Sequence, residues 1–290
     1  MEAIVYRIEH QSRRDLFKLF LLGDIHSGTI YCAEKKIKQQ VQVIKDDPFA
    51  RWIGMGDYAD LILPRDPRWE WGIVADWVKP SNIVEDQCRW VEDLFKPIVD
   101  KCVGLLGGNH EEQVPKYYSY DFMYNLTQRL GVPYLGYSCF VRFAFARITG
   151  ASFDVHSFKG HFTHGSGAPQ TEGGKRMNLK KSMDDFADCD IYATAHIHDL
   201  LVAEKPYLTI NLADPPRIVD KHRCGAITGS WFETYKQGVR PSYAEKKRYS
   251  PTPIGCPVFL IDPSRDQMSV FSNTNMMLRR LADVLGEKGE

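Results

Sequence analysis

Five short clusters of metal-type ligands are strung along this chain: Asp24-Ile25-His26, Gly56-Asp57-Tyr58-Ala59-Asp60, Gly108-Asn109-His110-Glu111, His164-Gly165 and His196-Ile197-His198. Each ends a short apolar run or sits in a glycine-rich corner. Such places are where a strand hands over to a loop, and where a rigid sheet can aim side chains at one point. Carboxylate, imidazole and carboxamide donors together favour transition metals over Ca²⁺. Seven or eight such ligands exceed what one ion takes, so the pattern predicts a two-metal site.

The runs between the clusters predict the scaffold. Residues 17–23 and 51–56 are short β-type runs ending at the first and second clusters, and 102–107 ends at the third. Residues 33–45 and 82–99 carry apolar residues at helical spacing, with Pro97 near the end of the second. Strand and helix therefore alternate, which is the α/β layout with the site at the carboxyl ends of parallel strands. Residues 121–130 read as a helix stopped by Gly131-Val132-Pro133. Further β runs follow at 139–148, 153–163, 191–195, 207–212 and 224–232, with a helix at 175–186. This predicts a second sheet stacked on the first, a two-sheet α/β sandwich. The chain is expected to be a single domain over 1–290, with a core of about 15–235 and a C-terminal extension of about 236–290. In that extension 236–255 looks irregular, 258–261 and 268–271 form a closing hairpin, and a polar helix follows.

The composition, 43% apolar and 12% aromatic, supplies a buried core. Lys plus Arg equals Asp plus Glu, 37 each, so there is no basic footprint for wrapping long nucleic acid. A short or single-stranded substrate at a local patch stays open. Seven scattered cysteines without a C-x-x-C pair fit a reducing compartment. The charged N-terminus lacks the apolar core of a signal peptide. No apolar run approaches the roughly 18 residues needed to span a bilayer. A soluble, cytoplasmic protein without a membrane role is expected.

The clusters DIH, GDYAD, GNHE, THG and AHIH resemble the signature of the calcineurin-like metallophosphoesterase superfamily: D-x-H, G-D-x-x-D, G-N-H-[ED], a later H, and G-H-x-H. The resemblance implies that Asp24 and His26 bind a first metal and that Asp57 bridges both. It implies that Asn109, His164 and His196 bind the second metal and that His198 returns to the first. His110 would lie beside the substrate, paired with Asp60, and these two are the expected catalytic residues. Ala195 replaces the usual glycine before His196. Leu61-Ile62 stands where protein Ser/Thr phosphatases of the superfamily carry Arg-Gly, the Arg clamping phosphate. Its absence argues against a protein phosphatase.

The implied chemistry is hydrolysis of a phosphate ester. Two cations roughly 3.5–4 Å apart neutralise charge at phosphorus and hold the attacking and leaving oxygens in line. A hydroxide shared between them is the nucleophile, and His110 donates to phosphate or leaving oxygen. The imidazoles must be neutral to bind, so activity should fall in acid. Mn²⁺ is the leading cofactor, with Fe, Zn²⁺ or Ni²⁺ accepted by the same mixed donors. The expected reaction is phosphodiester hydrolysis of a nucleotide or short nucleic acid. The alternatives are a phosphomonoesterase acting on a nucleotide or phosphoprotein, and a non-catalytic metal-bound scaffold.

Other features carry two readings each. Trp69, Trp71 and Trp77 are a stacking platform for a nucleobase or an aromatic-packed lid or subunit contact. The glycines beyond His164, with Lys175 and Arg176, cradle a phosphate or form a flexible connection. Lys246-Lys247-Arg248 reads as a solvated face, and His156, His161 and His222 as structural or exposed. Glu111 and Glu112 position a loop without binding metal.

Overall fold

The computed structural model describes residues 1–149, 152–167, 169–186 and 188–286, without the side chains of residues 71, 152, 153 and 283–286. In chain order the elements are β1 (Glu2–His10), β2 (Phe17–Leu22), α1 (Glu34–Asp46), β3 (Ala50–Gly54), α2 (Ile83–Phe95), β4 (Cys102–Leu105), α3 (Asn109–Tyr117), α4 (Phe122–Leu130) and β5 (Ser138–Thr149). There follow β6 (Ser152–Thr163), α5 (Glu172–Asp185), β7 (Ile191–Thr194), β8 (Leu200–Ile210), β9 (Ile218–Thr228), α6 (Tyr243–Lys246), β10 (Val258–Asp262), β11 (Gln267–Phe271) and α7 (Thr274–Gly286).

Two sheets stack face to face, as the sequence predicts. One has the order β11-β10-β2-β3-β4 and the other β1-β5-β6-β7-β9-β8. The ligand-bearing strands β2, β3 and β4 are parallel, and β6 and β7 are parallel in the other sheet. Strand β2 is apolar except for Lys18, which pairs with Asp47 at 3.0 Å, because both its faces are covered. Leu19 and Leu21 point between the sheets, where they meet Phe143, Phe162 and Ile191. Phe20 and Leu22 point outward to Ile37 and Val41 of α1 and to Cys88 and Val91 of α2. On the far side Leu179 and Met183 of α5 cover Tyr192 and Ile227. The result is helix, sheet, sheet, helix, an α/β sandwich. Among the described residues no helix is long and apolar enough to cross a membrane.

Local chemistry sets the ends. The Asp121 carboxylate accepts the Tyr124 N–H and caps α4, and Gly131 ends it at φ +67°. Helix α2 stops at Phe95, short of the predicted 99, because Pro97 cannot donate; residues 96–101 continue as a tighter 3₁₀ turn. Strands β8 and β9 begin seven and six residues earlier than predicted, at Leu200 and Ile218. They form a long hairpin whose distal half is solvated, with Leu208, Ile210 and Ile218 exposed, so burial does not mark it. Strand β1 was not predicted; it joins the edge of its sheet parallel to β5 and buries Ile8. Helix α3, also unpredicted, carries Pro115 inside it. The segment after residue 235 supplies β10, which pairs antiparallel with β2.

His161 faces α5, away from the ligand clusters. Its ring stacks on Phe186 at 3.9 Å, and its Nδ1 lies 3.2 Å from Ser182 Oγ. Burial pushes this imidazole down to about 4 from its ordinary 6.5. The unfolded chain takes up the proton first, so this contribution to stability is complete above pH 6.5 and drains away as pH falls toward about 4. The variant His161→Phe keeps the stacking and loses the proton site. Its thermal midpoint should fall less steeply than the parent's across that interval; parallel decline of the two proteins would refute this account.

Candidate metal centre

All five ligand clusters emerge at the same end of the two sheets. Residues 24–26 follow β2, 57–60 follow β3, 108–110 follow β4, His164 follows β6, and His196 and His198 follow β7. The first two turns are zipped together: Asp24 N–H donates to Gly56 O (2.9 Å), Ile25 N–H to Asp57 O (2.8 Å) and Ser27 N–H to Tyr58 O (3.0 Å). Gly56 sits at φ +88° where the loops touch, and a Cβ there would fall 2.7 Å from Gly108 N and His164 Nδ1. Asp24, His26, Asp57, His196 and His198 themselves have φ between 48° and 68°. Left-handed backbone costs non-glycine residues roughly 1–2 kcal/mol each. Five such residues on ligand side chains mean that the surroundings hold these turns against local preference.

The donor atoms fall into adjoining groups: Asp24, His26 and His198; Asp57, His164 and His196; and His26 with Asp60 and His110. His26 Nε2 and His198 Nε2 stand 3.0 Å apart, and His198 Nε2 is 3.3 Å from Asp24 Oδ1. His164 Nε2 is 3.1 Å from Asn109 Oδ1 and 3.2 Å from Asp57 Oδ2. His164 Nδ1 donates to Met55 O at 2.8 Å, so Nε2 is the ring nitrogen that faces the two oxygens. Lone pairs brought this close repel unless a cation lies among them. Donors about 2.1 Å from a shared ion and at right angles stand about 3 Å apart, which is the spacing found here. His196 Nδ1 is buried with no hydrogen-bond partner. The donor set therefore fits divalent metal.

The charges agree. Burial opposes ionisation of Asp57, but His164, His110 and His26 hold its carboxyl well below the usual carboxylate range. Asp24 is lowered against burial by His198 and His164. Burial keeps His26 and His196 below the usual histidine value, hence neutral and able to ligate. His164 is driven the other way, up to about 10, because Asp57 and Asp24 outweigh its burial. A buried pocket that recruits a proton so strongly is built to hold positive charge.

Glu111 organises the loops. Its carboxyl accepts N–H from Gly108 (2.9 Å), Asp57 (2.9 Å), Tyr58 (2.8 Å) and Ala59 (3.3 Å). Burial and Asp57 push this carboxyl up to about 7 against those donors. Asp60 differs from expectation. His110 Nδ1 meets the main-chain carbonyl of Asp60, whereas the Asp60 carboxylate lies 3.3 Å from His26 Nδ1. The carboxylate is therefore directed to a ligand histidine, and the carbonyl orients His110.

A cavity opens over this cluster. Lys175 lines it, with its ammonium 2.9 Å from Asp199, but Arg176 turns outward to Glu172 at 2.9 Å. Arg176 is thus removed from the phosphate-binding candidates. Trp69 does not line the cavity, the side chain of Trp71 lies outside the described residues, and Trp77 stacks on Trp90 at 5.7 Å. The aromatic lining comes instead from Tyr31, Phe232, Tyr243 and Tyr249, and a further cation from Arg68. No sequence pattern marked these residues, because they reach the cavity from segments that carry no ligand motif.

No family model matches the chain, and no curated protein matches it. Solved structures do. An uncharacterized protein from Streptococcus pneumoniae TIGR4, described as a predicted phosphoesterase, is 10% identical, with 89% of this chain and 98% of that one covered and a TM-score of 0.31. Vps29 from Entamoeba histolytica, complexed with zinc, is 10% identical with coverage of 88% and 97% and a TM-score of 0.32. GAP50, the anchor in the inner membrane complex of Plasmodium, is 12% identical with coverage of 84% and 81% and a TM-score of 0.40. It is the five ligand motifs, in their order along the strands, that make this chain similar to the calcineurin-like metallophosphoesterases.

Two substitutions separate ligation from scaffolding. Asp57→Asn should lower the Mn²⁺ bound per chain in elemental analysis while leaving the protein folded. In Glu111→Gln an amide NH₂ would face two N–H donors, at a cost of about 2–4 kcal/mol in chemical denaturation. A Glu111→Gln protein as stable as the parent would show that the clamp is not holding the loops.

Proposed function

We propose that this chain is a dinuclear, metal-dependent phosphoesterase that prefers phosphodiesters, such as a nucleotide or a short nucleic acid. The observation that carries the reading is the meeting of two adjoining donor sets, Asp24/His26/His198 and Asp57/His164/His196, with Asn109 Oδ1 3.1 Å from His164 Nε2 and His110 at the cavity wall. Asp57 would hold metal with His164 and His196, and its second carboxylate oxygen would be free to be shared with the adjoining set. When bound, a pair of divalent ions, Mn²⁺ foremost and Fe, Zn²⁺ or Ni²⁺ also suited, supplies charge neutralisation at phosphorus and a more acidic water.

The remaining steps belong to the chain. Its Nδ1 engaged by the Asp60 carbonyl, His110 turns Nε2 to the cavity it lines. Burial disfavours the His110 imidazolium, but Asp57, Asp60 and that carbonyl prevail and raise its pKa above the ordinary value. A proton held there can be donated to a phosphoryl oxygen or to the departing alkoxide. The diester preference rests on charge. The two cationic side chains lining the cavity each face a carboxylate already, Arg68 at 2.7 Å from Asp66 and Lys175 at 2.9 Å from Asp199. Each therefore offers only part of its charge to a substrate, which suits a singly charged ester better than a dianion. The seven buried, unpaired cysteines support a reducing, cytoplasmic setting.

The test is turnover by the Mn²⁺-loaded protein of bis-p-nitrophenyl phosphate against p-nitrophenyl phosphate. Faster hydrolysis of the diester is expected; a faster monoester would overturn the preference, and no turnover of either would overturn the enzymatic reading. The variant His110→Ala should retain metal and lose about 10²–10⁴-fold in rate. Loss of metal from it would show that His110 is a ligand instead.

A further inference from the structure

Between the second and third ligand clusters the chain leaves the sheet in a long loop, and Arg68 is held there from two sides. The Asp66 carboxylate accepts Arg68 Nε at 2.9 Å and Nη2 at 2.7 Å. It also accepts the Arg68 main-chain N–H at 2.8 Å. The guanidinium carbon lies 5.9 Å from the ring centre of Tyr243, which comes from α6. Lys246 of the same short helix reaches back to Glu70 at 2.7 Å, so loop and helix are tied at two points. The side chain is 30% exposed and lines the cavity with Asp57, Asn109 and His110.

A guanidinium has five N–H groups in a planar fork. Asp66 occupies the Nε/Nη2 edge and leaves the Nη1/Nη2 edge without a partner among the described residues. That edge matches a second oxyanion presenting two oxygens side by side, as the two non-bridging oxygens of a phosphodiester do. With its rotamer already fixed, the side chain loses little freedom on engaging it. Lys175, with its ammonium on Asp199 and only 14% of the side chain exposed, offers no such fork.

We infer that Arg68 is the substrate-recognition residue of this cavity: its Nη1/Nη2 edge grips the non-bridging oxygens of the phosphoester, Asp66 is its positioning residue, and Tyr243 backs the guanidinium plane. The inference rests on the phosphoesterase reading of the cavity. It explains how a chain with Leu61-Ile62 after Asp60 still brings a cation to the substrate.

The experiment is calorimetric titration of inorganic phosphate into the Mn²⁺-loaded protein, beside KM for bis-p-nitrophenyl phosphate. Arg68→Ala should weaken phosphate binding and raise KM by about 10- to 100-fold with metal content unchanged. Arg68→Lys keeps a charge without the fork and should recover only part of that loss. Asp66→Asn should shift KM the same way by a smaller factor, and Asp66→Glu should restore it. Phosphate affinity of Arg68→Ala within about twofold of the parent, or no phosphate binding by the parent, would overturn the assignment. Parent protein that binds phosphate through Arg68 yet hydrolyses no ester would instead refute the enzymatic reading alone.

Discussion

The structure depends on holding buried carboxylates and imidazoles together against their own repulsion. Asp24 and Asp57 are almost fully buried and stay ionised. Such a cluster would fly apart on flexible loops. Glu111 prevents this by gathering main-chain N–H groups from the Gly108 turn and from residues 57–59 onto one carboxyl group. Two ligand turns are thereby fixed to one side chain at the start of α3. The hydrogen bonds between residues 24–27 and 56–58 add a third turn to the same unit.

The sheets supply the rigidity on which that unit stands. Each ligand turn begins at the end of a strand whose residues are packed between layers, so the turn cannot relax by moving its root. This is how the left-handed backbone at five ligand residues is tolerated. The outward-facing residues of the cluster are oriented in turn: Met55 O fixes the His164 tautomer, the Asp60 carboxylate attends His26, and the Asp24 carboxylate receives the His196 N–H at 3.1 Å. The partners of His164 and His26 set which nitrogen of those two imidazoles is available, and the main-chain bond of His196 holds its turn against Asp24.

Much of this was legible in the sequence for a simple reason. Ligand motifs at strand ends are local, and the apolar runs before them are short and doubly buried. The two-sheet sandwich and the grouping of all seven ligand-type side chains follow from that pattern. What the sequence concealed depends on contacts between distant segments. The period-two alternation of Ile4, Tyr6 and Ile8 was readable as an edge strand but lies among charges. The divided role of Asp60, carbonyl to one histidine and carboxylate to another, is a matter of loop geometry. Arg68 and Tyr243 lie 175 positions apart and meet only because α6 folds back onto the 61–75 loop, through Lys246 and Glu70. The tryptophans at 69, 71 and 77 stand close together in the sequence, yet Trp77 packs against Trp90.

The pairing of β10 with β2 also bears on how the protein is made. Phe20, in the strand that leads to the first ligand pair, has Val258 as its neighbour. During vectorial synthesis the border of β2 that β10 covers, apolar but for Lys18, stays open until residues 258–261 have left the ribosome. Closure across so long a stretch is slow to find. The nascent chain thus spends its growth with a sticky border unprotected, a natural substrate for holdase chaperones and a point from which shortened translation products would aggregate.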